Sequence, residues 1–228
     1  EREGQRTAAL QILWESHNPK VTRELEKTLL AHPQPEVRAT VAKILGNNGD
    51  SATVVPLATA MQDPHPVVRA KATVSLGTLR QLPAIPHLVR ALSDPDAQVR
   101  YEAAWSIART LRERDGGPVA VLPSVREALR KALSDPDSEA RRAAAGAFML
   151  LKIPEVVPDL ARMLDDPVAV VRMDALVAIA EVHTPEATEA MLYALQSQDD
   201  WLRMRANKLI TYRMDSKIRA RLPILSRT

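Results

Sequence analysis

Residues 63–76 read DPHPVVRAKATVSL, and the same design returns three more times: DPDAQVRYEAAWSI at 94–107, DPDSEARRAAAGAF at 135–148 and DPVAVVRMDALVAI at 166–179. Each copy begins Asp-Pro, places Arg six residues after the Asp, Ala three after the Arg and an apolar residue seven after it. Followed outward, the arginine becomes a row of seven: Arg6, Arg38, Arg69, Arg100, Arg141, Arg172 and Arg203, at steps of 32, 31, 31, 41, 31 and 31 residues. A fixed period of this length is one supersecondary unit stacked on itself. Such arrays act through a continuous surface more often than through a pocket.

Each unit reads as two helices. Ile85, Leu88, Ala91 and Leu92 recur at helical spacing, Asp94-Pro95 interrupts, and Val99, Ala103, Ile107 and Leu111 then form one stripe at steps of four. The spacing predicts first helices near 20–31, 51–62, 84–93, 123–134, 155–165 and 186–197. Second helices are predicted near 2–16, 35–47, 66–80, 97–113, 138–152, 169–182 and 199–213, with a short last one at 215–222. Pro35, Pro66, Pro86 and Pro158 fall in first turns, where a missing N–H costs nothing. The fold expected is all-α: a right-handed α-solenoid of about six and a half stacked antiparallel helix pairs, one domain over 1–228. The long step between Arg100 and Arg141 marks an inserted loop at about 113–122, around Gly116-Gly117-Pro118.

Composition narrows the function classes. Aromatic residues are only 3% of the 228, so Ala and Leu carry the apolar load, which suits close-packed helices better than a sandwich of strands. There is no cysteine, which removes disulfides, thiolate catalysis and Cys-based metal sites. No apolar run approaches the ~18 residues that span a bilayer. Net charge is +3, yet residues 199–228 hold eight Lys or Arg against three Asp, a local +5. The basic character is thus a property of that C-terminal segment, and it makes nucleic acid the alternative partner class. The chain opens on Glu1 and is expected to be a processed protein or one domain of a larger one. The compartment is unmarked; a cytoplasmic location is the default expectation.

The four quoted segments resemble HEAT repeats, in particular the short bacterial type named after phycobilisome lyases, and the resemblance spans nearly the whole chain. It implies a scaffold or adaptor. It also implies that Asp63, Asp94, Asp135 and Asp166 join Arg69, Arg100, Arg141 and Arg172 in a ladder of hydrogen bonds between neighbouring units. His32 and Ser197 replace the Asp before Arg38 and Arg203, so looser end junctions are expected there. Enzymes share the resemblance. Deoxyhypusine hydroxylases hold two irons through His-Glu pairs, but none of His17, His32, His65, His87 and His183 is followed by Glu. Phycobilin lyase subunits remain an alternative. DNA glycosylases of HEAT-like form would use a set such as Trp105, Arg142 and Asp174 beside a basic groove. Here Glu36, Glu102 and Glu139 interrupt the cations. With no phosphate-cradling Gly-rich loop and no Gly-x-Ser-x-Gly turn, no catalytic residue, metal ligand or cofactor is assigned.

The arginine register sorts each second helix into faces. Residues one before, three after and seven after the Arg point to the core; those two before, one after and five after lie opposite, on the concave wall of such a solenoid. That wall reads Glu36, Ala39, Lys43; Val67, Ala70, Val74; Gln98, Tyr101, Trp105; Glu139, Arg142, Gly146; Val170, Met173, Val177; Trp201, Met204, Lys208. A solvated face is mostly polar, and this one is not. Ala39, Ala70 and Gly146 suit a crowded seam, whereas Trp105 and Trp201 are large enough to project. Tyr101, Trp105, Arg142, Met173, Val177, Trp201 and Met204 are therefore the candidate surface for a protein or peptide partner. Trp14, on the same face near the N-terminal end, is expected to cap the stack.

Overall fold

A computed structural model of the chain describes residues 19–47, 50–112 and 121–213. The expected helix at 2–16 with Trp14, most of the expected loop at 113–122 and the last helix at 215–222 lie outside them. Twelve α-helices and no strand occur among the described residues. They are α1 Pro19–Ala31, α2 Pro35–Asn47, α3 Val54–Ala60, α4 Pro66–Leu79, α5 Ile85–Ala91 and α6 Ala97–Leu111. They continue as α7 Pro123–Ala132, α8 Ser138–Leu151, α9 Val157–Arg162, α10 Ala169–Ala180, α11 Pro185–Ala194 and α12 Asp200–Arg213. The chain divides into two compact units, Glu1–Ala147 and Phe148–Thr228, the division falling inside α8.

Within the first unit, α1 packs on α2, α3 on α4 and α5 on α6, and the second helices stack on one another, α2 on α4 and α4 on α6. Within the second unit, α9 and α11 both flank α10, and α12 packs on α11 and α10. This is the stacked-pair solenoid that the 31-residue period predicts. Core positions follow the register: Val68, Ala72 and Leu76 on α4 and Val99, Ala103 and Ile107 on α6 are buried.

The first helices differ from expectation at their starts. α3, α5 and α9 each follow a single 3-10 turn: Ser51–Thr53, Leu82–Ala84 and Pro154–Val156. Pro83 and Pro154 sit in the first positions of two of those turns, and Pro86 and Pro158 in the first turns of the helices after them. Short 3-10 turns are common at helix starts, and proline fits such first positions because the N–H it lacks has no intrahelical acceptor there.

Close approach of the second helices shapes their sequence. A Cβ added to Gly46 would lie 2.4 Å from Ser75 Cβ, and one on Gly77 would lie 2.5 Å from Ser106 Cβ. Glycine at these two positions lets one backbone seat against its neighbour. Two hydroxyls buried along this seam are satisfied: Ser106 donates to the Thr73 carbonyl at 3.0 Å, from one helix to the next, and Thr73 donates to the Arg69 carbonyl at 2.8 Å.

Candidate functional site

Four of the turns between the helices of a pair are closed by a carboxylate. Oδ1 of Asp63, Asp94, Asp135 and Asp166 accepts the N–H two residues on, at 2.9 Å in every case. This is the Asx turn, and the intervening proline suits it. The arginine six residues later donates Nη1 back to the carbonyl of that Asp: Arg69 to Asp63, Arg100 to Asp94, Arg141 to Asp135 and Arg172 to Asp166, at 2.7 to 3.0 Å. The rest of the guanidinium crosses to the next turn. Arg38 meets both oxygens of Asp63 at 2.7 and 2.8 Å, Arg69 those of Asp94 at 2.9 and 2.8 Å, and Arg100 those of Asp135 at 2.7 and 2.8 Å. These bidentate pairs are largely shielded from water.

The electrostatics follow from that geometry. Burial pushes the Asp63 and Asp135 carboxyls up, but the guanidinium hydrogen bonds, the turn N–H and the arginine charge outweigh it and hold both below the usual carboxylate range. Arg38, Arg69 and Arg100 are raised, first by the hydrogen bond to their aspartates and against the cost of burial.

At the ends the two jobs of the aspartate separate. His32 Nδ1 accepts from the Gln34 N–H at 3.1 Å, and Ser197 Oγ accepts from the Asp199 N–H at 3.2 Å, so each substitute still closes its turn. The junction expected to be looser at Ser197 keeps an ion pair, because Asp199 takes the guanidinium of Arg172 in its place, through one carboxylate oxygen rather than two. Asp199 also caps α12, accepting from Trp201 and Leu202 at 2.9 and 3.2 Å. The Arg172 hydrogen bond, then the Leu202 N–H, hold its carboxyl below the usual range. The junction before His32 would need Arg6, which lies outside the described residues.

On the opposite face, the candidate residues fall into two groups. In the first unit, Tyr101 and Trp105 on α6 are half-buried. Trp105 lies across α8: a Cβ on Gly146 would come within 2.4 Å of its ring. Its indole Nε1 is shut away from solvent with no acceptor. The ring expected to project is packed between helices, and Gly146 is the space it occupies. Arg142 is half-buried and ion-pairs with Glu139 one turn earlier, at 2.8 Å.

In the second unit, Met173 and Val177 on α10 are half-buried, whereas Val170 is 47% exposed, Trp201 73% and Met204 62%. Trp201 and Met204 stand on α12 in the register that Val170 and Met173 hold on α10, and the two helices pack together. Continuing the same steps along α12 reaches Lys208, exposed, and Tyr212, 92% exposed. Tyr212 escaped the register of three positions per helix, although one more turn from Lys208 would have found it. Among the described residues no group of three His, Asp or Glu side chains is placed to hold a metal ion. No helix among them is long and apolar enough to cross a membrane.

A family description, HEAT repeats, matches residues 5–77, 22–108 and 85–180. Among solved structures the chain is similar to YibA of Escherichia coli, with 23% identity over 97% of this chain and 79% of that one and a TM-score of 0.66. It is similar to an engineered protein, with 20% identity over 83% and 96% of the two chains and a TM-score of 0.58. A designed armadillo repeat protein, solved in complex with the peptide (KR)4, is 18% identical over 82% and 97%, with a TM-score of 0.58. At these identities the likeness is one of fold. No curated protein matches the sequence significantly.

Proposed function

The chain belongs to the HEAT-repeat family, and from that premise we propose that it is a non-catalytic scaffold that binds a protein or peptide partner on the outward stripe of its second helices. The observation that carries this reading is the pair Trp201 and Met204. Both are exposed on a helix whose other side, Leu202, Ala206 and Ile210, is fully engaged in the core. Large apolar side chains in a clustered, water-facing set are the residue types that interface centres favour. The designed armadillo neighbour supports the mode in kind, since its structure holds a peptide.

The weight of the site therefore shifts from Tyr101 and Trp105 towards α12. Affinity capture with the intact chain and with Trp201→Ala/Met204→Ala tests it. The double variant is expected to lose the specific partner while its helicity and melting stay at wild type. Unchanged capture would remove α12 from the site.

A further inference from the structure

On α12, residues 201, 204, 205, 208 and 212 fall within an arc of about 100° at 100° per residue. They are Trp, Met, Arg, Lys and Tyr, a stripe of aromatic, thioether and cationic side chains with no carboxylate. We propose that this stripe docks an acidic segment carrying apolar anchors: the anchors seat on Trp201, Met204 and Tyr212, and the segment's carboxylates pair with Arg205 and Lys208. The proposal rests on the reading of α12 as a binding surface and adds the chemistry of what binds there.

Charge complementarity is the argument. The other Lys and Arg of the second unit whose side chains are described are matched: Arg172 with Asp199, Arg203 with Asp200, Arg162 with Asp159 and Lys152 with Glu181. Arg205 and Lys208 make no ion pair or hydrogen bond among the described residues. The carboxylate on α10 in the register of Arg205, Asp174, already interacts with another group. Two unmatched cations flanked by two exposed rings and a methionine supply charge and apolar area together. The row beside them on α10, Val170, Met173 and Val177, is aliphatic or thioether. Aliphatic neighbours favour the side chains of a peptide over the stacked bases and phosphates of a nucleic acid, which call for further rings and cations. The chemistry is the reverse of a surface that takes an Arg- and Lys-rich peptide.

A random-peptide display library panned on the immobilised full chain decides the matter, with Arg205→Glu/Lys208→Glu and Trp201→Ala/Met204→Ala chains panned in parallel. Expected are enriched peptides of net negative charge with apolar anchors. A representative should bind roughly tenfold or more weakly to the charge-reversed chain and progressively more weakly as salt rises. Enriched peptides that are neutral or basic, or that bind the charge-reversed chain equally well, overturn the acidic partner but leave the surface. No enrichment over the Trp201→Ala/Met204→Ala chain overturns the surface itself. A mixed-sequence single-stranded DNA that binds the wild-type chain and displaces the peptides overturns the proposal in favour of nucleic acid. Self-association in sedimentation that the same substitutions abolish overturns it in favour of a second copy.

Discussion

Oδ1 of Asp135 accepts the Asp137 N–H at 2.9 Å while both its oxygens hold Arg100, and Arg100 in turn reaches back to the Asp94 carbonyl. One carboxylate thus closes a turn and joins two repeats. Asp135→Asn keeps an oxygen for the turn but strands a shielded guanidinium, so a loss of about 2–4 kcal/mol is expected in urea unfolding. The same pairs set an acid limit. Asp63, Asp135 and Asp199 are held below the ordinary carboxyl range in the folded chain. The folded state therefore binds these protons less readily than the unfolded chain, whose carboxyls titrate near 3.8. Their stabilisation is complete above that value and drains away as pH falls through the lower folded values. Melting temperature should be level from about pH 7 to 5 and fall steeply below about pH 4. Converting the three aspartates to Asn should flatten that acid slope. A slope unchanged by the substitutions would assign the acid sensitivity to other carboxyls.

Helices α6 and α8 meet through a size match, Trp105 against Gly146. Gly146→Ala would drive a methyl into the ring and is expected to cost about 1–3 kcal/mol, the usual range for overpacking. Trp105→Ala leaves a void of its own and should cost about 3 kcal/mol. In the double variant the two losses should fall well short of their sum, because the ring that the methyl strikes is gone. Additive losses would mean that the ring rotates away freely. α12 offers the contrast between faces. Leu202 is fully buried, and Leu202→Ala should cost about 2–4 kcal/mol. Trp201→Ala and Met204→Ala, on the exposed side of the same helix, should each change stability by less than about 0.5 kcal/mol by thermal or urea melts.

Stacked repeats share stability between neighbours, so the place where a junction is cut matters to how the molecule unfolds. Arg100 to Asp135 bridges the longest step in the arginine row, and Arg172 to Asp199 joins the last described pair. Asp135→Ala is expected to broaden or split the urea transition, whereas Asp199→Ala should lower the midpoint with a single transition kept. Circular dichroism and tryptophan fluorescence that stay coincident in both variants would count against the difference.

Much of this was legible in the chain itself. Asp-Pro with Arg six residues on repeats because every repeat must meet the same turn and the same neighbour. A periodic packing requirement therefore writes itself into a periodic sequence, and with it the helix pairs and the core register of Val68, Ala72 and Leu76. Non-periodic features were decided by tertiary structure. Asp199 lies two residues out of step with the ladder, yet its carboxylate reaches Arg172, because what a guanidinium needs is an oxygen in space rather than at a fixed offset. Trp105, five after its register Arg, and Trp201, two before its own, fall on the same face of their helices and look alike in sequence. Only packing separates them: α8 presents a glycine under the first, while no described residue covers most of the second. Exposure is a property of what lies opposite, and a repeat that specifies its own faces does not specify what its neighbour places against them.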